Sequence, residues 1–171
     1  MSMSSIQEKP AVLLDSRAFR QALGHFPTGV AVVTTRGSDG RPVGLTINSF
    51  SSLSLDPPLI LWSLVNHSPS LDIFLNCDHF AINIMSEAQA ELALNFANPK
   101  VEDKFAMAAH QDCEEGIPLI DCCSARFVCE NYQSHEGGDH RLFIGRVLRH
   151  EADGHAPAVF HQGRFTRLAM A

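Results

Sequence analysis

Residues 44–58, running Gly44-Leu45-Thr46-Ile47-Asn48-Ser49-Phe50-Ser51-Ser52-Leu53-Ser54-Leu55-Asp56-Pro57-Pro58, constrain this chain more than any other stretch. The run begins and ends like β-strand, yet it carries six small hydroxyl or amide side chains and no Lys or Arg. A solvent-facing strand would mix in long charged residues, and a core strand would carry more Val and Ile. Thr46, Asn48, Ser49, Ser51 and Ser52 instead offer short hydrogen-bonding groups to a flat, polar-edged, mostly buried partner. The same composition also suits a polar edge strand and turn whose hydroxyls satisfy nearby backbone. From composition alone the two readings are equal. Pro57 and Pro58 have no N–H for a ladder and are expected to stop the pairing. The following Leu59 to Leu64 is apolar and strand-like.

A chain of 171 residues is most simply one domain with a real core. Its 45% hydrophobic and 19% charged content fits a globular protein. A formal net charge of -6 argues against a dominant nucleic-acid surface, which needs clustered Lys and Arg. No apolar run reaches the roughly 18 residues of a membrane span. Met1 to Pro10 lacks the basic and apolar regions of a secretory signal, so residues 1–14 are expected to be a flexible tail and 15–171 the domain. The 5 cysteines are odd in number and irregularly spaced. Cys122 and Cys123 are adjacent and cannot easily face one ion, so neither a disulfide framework nor a metal centre is expected. Reduced thiols fit a cytoplasmic protein.

The pattern predicts a helix over Asp15–His25, ended by Gly24 and Pro27. Val30–Thr35 and Val43–Ser49 form a hairpin about Gly37-Ser38-Asp39-Gly40. Strands follow over Leu59–Val65 and His79–Met85. Between them Ser68 is expected to cap a short helix with Pro69 in its first turn. Ser86-Glu87-Ala88-Gln89 reads as a capping box opening a helix to Phe96. Lys100–Ala109 is expected to hold a second short helix. Strand signals recur in Pro118–Gln133, His140–Glu151 and Ala158–Leu168, with Gly137-Gly138 at a hairpin tip. Many antiparallel strands and a few short helices predict a mainly β fold, a closed or split β-barrel.

The chain is poor in catalytic equipment. No Gly-x-Gly-x-x-Gly opens a helix after a strand, and there is no Gly-x-Ser-x-Gly elbow or His-Glu-x-x-His. That suits a protein whose cofactor carries the chemistry while the polypeptide binds and orients it.

Five pieces in one order carry a resemblance: Phe26-Pro27-Thr28-Gly29-Val30, Gly44–Pro58, Phe80-Ala81-Ile82-Asn83-Ile84-Met85, Gly138-Asp139-His140 and Phe160-His161-Gln162-Gly163-Arg164-Phe165. Over about Phe19 to Leu168 the chain resembles the short-chain flavin reductases, the NAD(P)H:flavin oxidoreductase components of two-component monooxygenases. The resemblance implies an FMN-binding split barrel, FMN or FAD as the flavin and NADH or NADPH as co-substrate. It also implies a homodimer with flavin sites near the subunit interface, and a separate oxygenase component. Carried residue by residue, it marks Pro27, Thr28, Gly29, Thr46, Ile47, Asn48, Ser49, Ser51, Ser63, Leu64, Ser68, Ser70, Lys104, Phe105, Phe160 and Arg164 as the expected flavin-binding set. Neutral donors suit the ring, while Ser68, Ser70 and Lys104 suit the phosphate. His140 is expected beside the nicotinamide.

Taken on their own, Ser68 is a plain cap, Lys104 a solvated side chain, His140 a hairpin-tip histidine, and Phe160 and Phe165 core or interface. His161-Gln162 departs from the family, where an aromatic or basic residue would be expected. No Arg cluster marks a 2′-phosphate pocket, which favours NADH. Three other readings compete. A flavoredoxin-like electron carrier would hold its flavin tightly. A pyridoxamine-phosphate-oxidase-like enzyme should carry more than 13 Lys and Arg. A cofactor-free domain leaves the polar strand unexplained.

Overall fold

The computed structural model describes residues 14–169; residues 1–13 of the predicted tail, with 170–171, lie outside the described part. The elements in chain order are α1 (Ser16–Leu23), β1 (Thr28–Gly29), β2 (Ala31–Arg36), β3 (Pro42–Ile47), β4 (Ser51–Leu55), β5 (Pro58–Val65), α2 (Leu71–Asn76) and β6 (His79–Ile84). A 3-10 turn (Glu87–Gln89) leads into α3 (Ala90–Ala97), and another covers Lys104–Met107. The chain continues through β7 (His110–Asp112), β8 (Pro118–Ile120), β9 (Ala125–Gly137), β10 (His140–Ala152), β11 (Val159–His161) and β12 (Arg164–Thr166).

Seven strands form one antiparallel sheet in the order β3-β2-β6-β9-β10-β5-β4, flanked by a three-stranded sheet β1-β11-β12 and the pair β7-β8. The mainly β expectation therefore holds. No ladder joins β3 to β4 among the described residues, so strand pairing does not close a barrel. Instead Ser49, just past β3, reaches across to β5. Its Oγ accepts from Ser63 N at 3.0 Å and donates to Ser63 O at 3.1 Å.

Strand β2 explains the core. Ala31-Val32-Val33-Thr34-Thr35 are all buried, so both of its faces are covered. Ala31 and Val33 join a cluster with Trp62, Phe74, Phe80 and Phe143. Val30 and Val32 join Met85, Phe96, Phe105 and Ile120 on the other side. In the first cluster Trp62 stacks on Phe143 at 4.5 Å and meets the edges of Phe74 and Phe80 at 5.1 and 5.7 Å. Each such large side chain contributes about 1.5–3 kcal/mol by leaving water. The buried side chains of Asn83 and Thr34 are paired, whereas the Trp62 indole N–H has no hydrogen-bond partner among the described residues. Asn83 donates to Val32 O at 3.0 Å and Thr34 Oγ1 at 3.1 Å, and accepts from Ile120 N at 2.9 Å. Thr34 in turn donates to Pro118 O at 2.6 Å. Left unpaired, each group would carry a desolvation cost of about 1–3 kcal/mol.

Local expectations fare unevenly. Asp15 caps α1 through Arg17 N at 2.8 Å, and the β2–β3 hairpin turns at Gly37–Gly40 with a 2.9 Å bond. The Ser86 box forms, with Ser86 N donating to Gln89 Oε1 at 3.0 Å. Three expectations need correction. The short helix begins at Leu71 with Ser70, not Ser68, at the cap position and no side-chain cap bond. Lys100–Ala109 holds only the 3-10 turn, because Asp103 caps at Phe105 N and Ala106 N and so starts the turn late. The polar run begins and ends as strand, as expected, in β3 and β4. The prolines do not stop the pairing but turn it: Pro58 opens β5 opposite Leu55 of β4.

Glycine 145 sits where β10 crosses the packed interior. A Cβ there would lie 2.6 Å from Phe80 Cζ and 3.0 Å from Cys129 Cβ. Gly145→Ala should therefore cost about 1–3 kcal/mol of stability through overpacking, read as a lowered urea midpoint at unchanged slope.

Candidate functional site

The second face of β2 is covered by a short layer, α3 and the 3-10 turn after it. Phe96 of α3 and Phe105 meet edge to face at 5.0 Å. Strand β3 passes directly beneath them because Gly44 has no side chain: a Cβ would fall 2.7 Å from Phe96. Thr46 Oγ1 donates to Ala93 O at 2.6 Å and pins α3 to β3. Where this layer ends, a cleft of about 650 Å³ opens. Its walls come from β3 (Gly44 to Thr46), the end of β5 at Val65, the segment after it (His67, Ser68, Ser70) and the turn bearing Lys104 and Phe105. A smaller cavity of about 260 Å³ shares Thr46 and Ala97 with it and is edged by Ile47, Asn48, Phe160 and Phe165. The two together have the size and mixed polarity of a cofactor site.

These cavities gather Thr46, Ile47, Asn48, Ser68, Ser70, Lys104, Phe105 and Phe160 from the expected set. Lys104 is partly buried; its Nζ donates to Phe96 O at 2.7 Å, and burial pushes its pKa down. An ammonium has three donors, so this bond leaves two for an anion. Ser68 Oγ accepts from Ser70 N at 3.3 Å. Thr28 lines neither cavity, although β1 pairs it with Phe160 of β11, which edges the smaller one. Its Oγ1 is buried and has no hydrogen-bond partner. Gly29 pairs with Val159, and Pro27 precedes them, exposed.

Other expected residues line neither cavity. Ser63 and Ser49 are bonded to each other, Leu64 is buried in the aromatic cluster, and Ser51 is exposed with its hydroxyl on Ser52 O at 3.1 Å. Arg164 is exposed opposite His161. His140 stands next to Val65 in the β10–β5 register, one strand from the cleft wall. The turn before it is laced to that wall: Asn66 N donates to Asp139 O at 2.9 Å and Asn66 Nδ2 to Gly138 O at 3.1 Å. Gly138 has φ of 68°, which admits the tight turn. His140 Nδ1 meets Asp139 Oδ1 at 2.6 Å, and the histidine holds that carboxyl below its usual pKa. The pair orients the ring and leaves Nε2 as its remaining polar atom.

Sequence reasoning missed the walls supplied by His67, Phe96 and Phe165. Gly44 within a strand was the available signal, since such a glycine marks a close approach. A separate cleft of about 570 Å³, walled by Thr35, Asp72, Cys77, His79 and Glu115 among others, contains none of the expected residues.

The flavin reductase like domain matches residues 23–169, and the chain belongs to that family. It is 42% identical over 144 residues to the stachydrine N-demethylase reductase subunit Stc3 of Rhizobium meliloti, covering 84% of this chain and 62% of that one. It is 43% identical over 149 residues to the reductase component of the flavin-dependent trigonelline monooxygenase of Acinetobacter baylyi, covering 87% and 48%. The chain thus spans only about half to two thirds of the length of these two relatives. It is 41% identical over 156 residues to the FMN reductase (NADH) SmoA of Agrobacterium fabrum, covering 91% and 87%. Among solved structures, the NADH:FAD oxidoreductase SgcE6 of Streptomyces globisporus in complex with NAD and FAD fragments superposes with a TM-score of 0.85. That match has 36% identity and covers 93% of this chain and 98% of that one. No helix among the described residues is long and apolar enough to cross a membrane.

Proposed function

We propose that the protein is an NAD(P)H-dependent flavin reductase, one domain over residues 15–171 with a split-barrel fold, supplying reduced FMN or FAD to a separate oxygenase component in the cytoplasm. The observation that carries this reading is the joining at Thr46 of a small apolar cavity, edged by Asn48, to a cleft holding the amine of Lys104. Flat ring, polar ring edge and phosphate tail each meet matching chemistry there. The reductase components and NADH-dependent FMN reductase among the relatives support the reading too.

When bound, the flavin supplies the ring that accepts hydride from the nicotinamide. The chain's own residues bind and orient. Asn48, exposed beside the smaller cavity, and the backbone N–H groups after β3 offer neutral donors to the ring edge. Lys104 and Ser68 offer a cation and a hydroxyl to the phosphate. Phe96 and Phe105 exclude water from one side. His140, oriented by Asp139, would contact the nicotinamide nucleotide. The purified protein mixed with NADH and each flavin should consume NADH catalytically in air, read at the nicotinamide absorbance band. No turnover with any flavin, together with a tightly copurifying flavin, would favour the electron-carrier reading.

Lys104→Met should weaken FMN and FAD roughly tenfold or more while leaving riboflavin unaffected, because one charge-assisted contact is worth about 1.5–3 kcal/mol. Asn48→Leu should weaken all three flavins alike. Flavin titrations check both, and equal losses of riboflavin and FMN in the Lys104 variant would contradict the assignment.

His140→Ala should raise the NADH Michaelis constant or slow hydride transfer with little change in flavin affinity. Stopped-flow reduction separates the two effects, and unchanged NADH kinetics would remove His140 from the site.

The protein is further proposed to be a homodimer. The polar face of α1 lies along the rest of the chain, while Phe19 and Leu23 on its opposite face, with Phe26 just beyond, are 51%, 57% and 76% exposed. An outward apolar face of this kind needs cover, and a second copy is the cover the family resemblance implies. Light scattering should give twice the chain mass, and Leu23→Glu should give the monomer; a fully active wild-type monomer at micromolar concentration would overturn the proposal.

A further inference from the structure

Strand β9 outruns one of its neighbours. Its ladder with β6 ends at Glu130 opposite His79, whereas its ladder with β10 runs on to Gly137 opposite His140. On the far side of β10 the ladder with β5 also ends at His140, opposite Val65. Gly138 and Asp139 therefore turn past the end of both ladders, and a Cβ on Gly138 would meet nothing within 4 Å. A turn so placed is ordinarily a mobile tip. Here one residue takes both of its carbonyls: Asn66 N donates to Asp139 O at 2.9 Å, and Asn66 Nδ2 donates to Gly138 O at 3.1 Å.

Asn66 can hold the tip because its own place is fixed. It follows Val65 directly, and Ser68 N donates to Val65 O at 3.0 Å, so residues 65–68 make a tight turn. Val65, His67 and Ser68 of that turn line the larger cleft. One turn thus serves the cleft wall and, through Asn66, the β9–β10 tip. At the tip His140 Nδ1 meets Asp139 Oδ1 at 2.6 Å, so the imidazole takes its direction from a residue whose carbonyl Asn66 holds. That bond is the main cause holding the Asp139 carboxyl below its usual pKa, and His67 on the cleft wall adds a smaller pull. Asn66 itself is exposed. Hydrogen bonds there add little to global stability, so what they fix is the place of the turn.

We propose that Asn66 is a positioning residue: by tying the Gly138-Asp139 turn to the cleft wall it sets the His140 imidazole where a bound nicotinamide nucleotide meets it. The proposal rests on the flavin reductase reading, and on His140 within it, for the reaction served. The test compares the full chain with Asn66→Ala, Asn66→Asp, His140→Ala and Asn66→Ala/His140→Ala by anaerobic stopped-flow reduction of FMN with NADH. Whichever step His140→Ala weakens, NADH binding or hydride transfer, Asn66→Ala should weaken the same one. The loss should be roughly threefold to tenfold and no larger than that of His140→Ala, with FMN affinity kept within about twofold. Asn66→Asp keeps the shape but turns an acceptor toward Gly138 O, so it should lose at least as much as Asn66→Ala. The double variant should be no worse than His140→Ala, because Asn66 acts through His140 alone. Imidazole nitrogen NMR of the protein without ligands adds a measurement independent of turnover, the His140 signal being the one lost in His140→Ala. It should shift or broaden in Asn66→Ala. Absence of NADH oxidation by the wild type, with the His140 signal still displaced in Asn66→Ala, would refute the reductase reading and leave the hold of Asn66 on His140 standing. Additive losses in the double variant, wild-type kinetics in Asn66→Asp, or an unmoved His140 signal in Asn66→Ala would overturn the proposal.

Discussion

The structure depends on burying both faces of β2. A strand held between β3 and β6 with Ala31 to Thr35 fully enclosed needs a cover on each side. One cover is the aromatic cluster around Trp62, which also fixes β5, β6 and β10. The other is α3 with Phe96 and Phe105, and it is short. The site opens where this second layer stops, at Ala97 and Pro99, against the segment leaving β5. A longer α3 would bury more apolar surface and fill the cleft. The binding volume is thus a deliberate deficit in one layer of the core, framed by elements that the rest of the core holds rigid.

Much of the fold was legible in the sequence because its signals are local. The β-branched run at Val30–Thr35 and the glycine turn at Gly37–Gly40 each identify themselves within a few residues. So does the capping box at Ser86. What failed depended on competition between neighbours. Ser68 and Ser70 are both able caps, and only the path of the chain into α2 chooses Ser70. Asp103 intercepts the backbone N–H groups of Phe105 and Ala106, limiting a predicted helix to one 3-10 turn. Barrel closure could not be read at all, since it is a property of how the sheet's two ends meet.

The site was legible in kind more than in role. Thr46 and Ser49 were expected to offer their hydroxyls to a ligand, and both hydroxyls are spent on the protein: one holds α3 to β3, the other ties β3 to β5 across the open ends of the sheet. The polar strand thus satisfies both of its readings at once, with some side chains serving local backbone and others facing the cavities. The seating of α1 on the β11–β12 hairpin was invisible for a different reason. Arg17 and Arg20 lie far along the chain from His161 and Arg164, and only the seating of Gly24 on Gln162 brings helix and hairpin together.

That use of hydroxyls bears on how recognition can work. Ser49, bonded to both N and O of Ser63, and Thr46, bonded to Ala93 O, hold the end of β3 in place, so the backbone N–H groups they flank are fixed in advance. On the proposed reading, recognition of a ring edge falls to Asn48 and to those N–H groups, which cost little ordering on binding. The same economy holds at the turn of His140, where Asn66 bonds Gly138 and Asp139 and thereby couples the β9–β10 tip to the cleft wall. A histidine on an untethered hairpin tip would be a mobile surface group. Tied at two points and oriented by Asp139, it keeps one position relative to Val65 and the cleft beyond it, which is the condition the proposed function sets for a weakly equipped chain to align two rings.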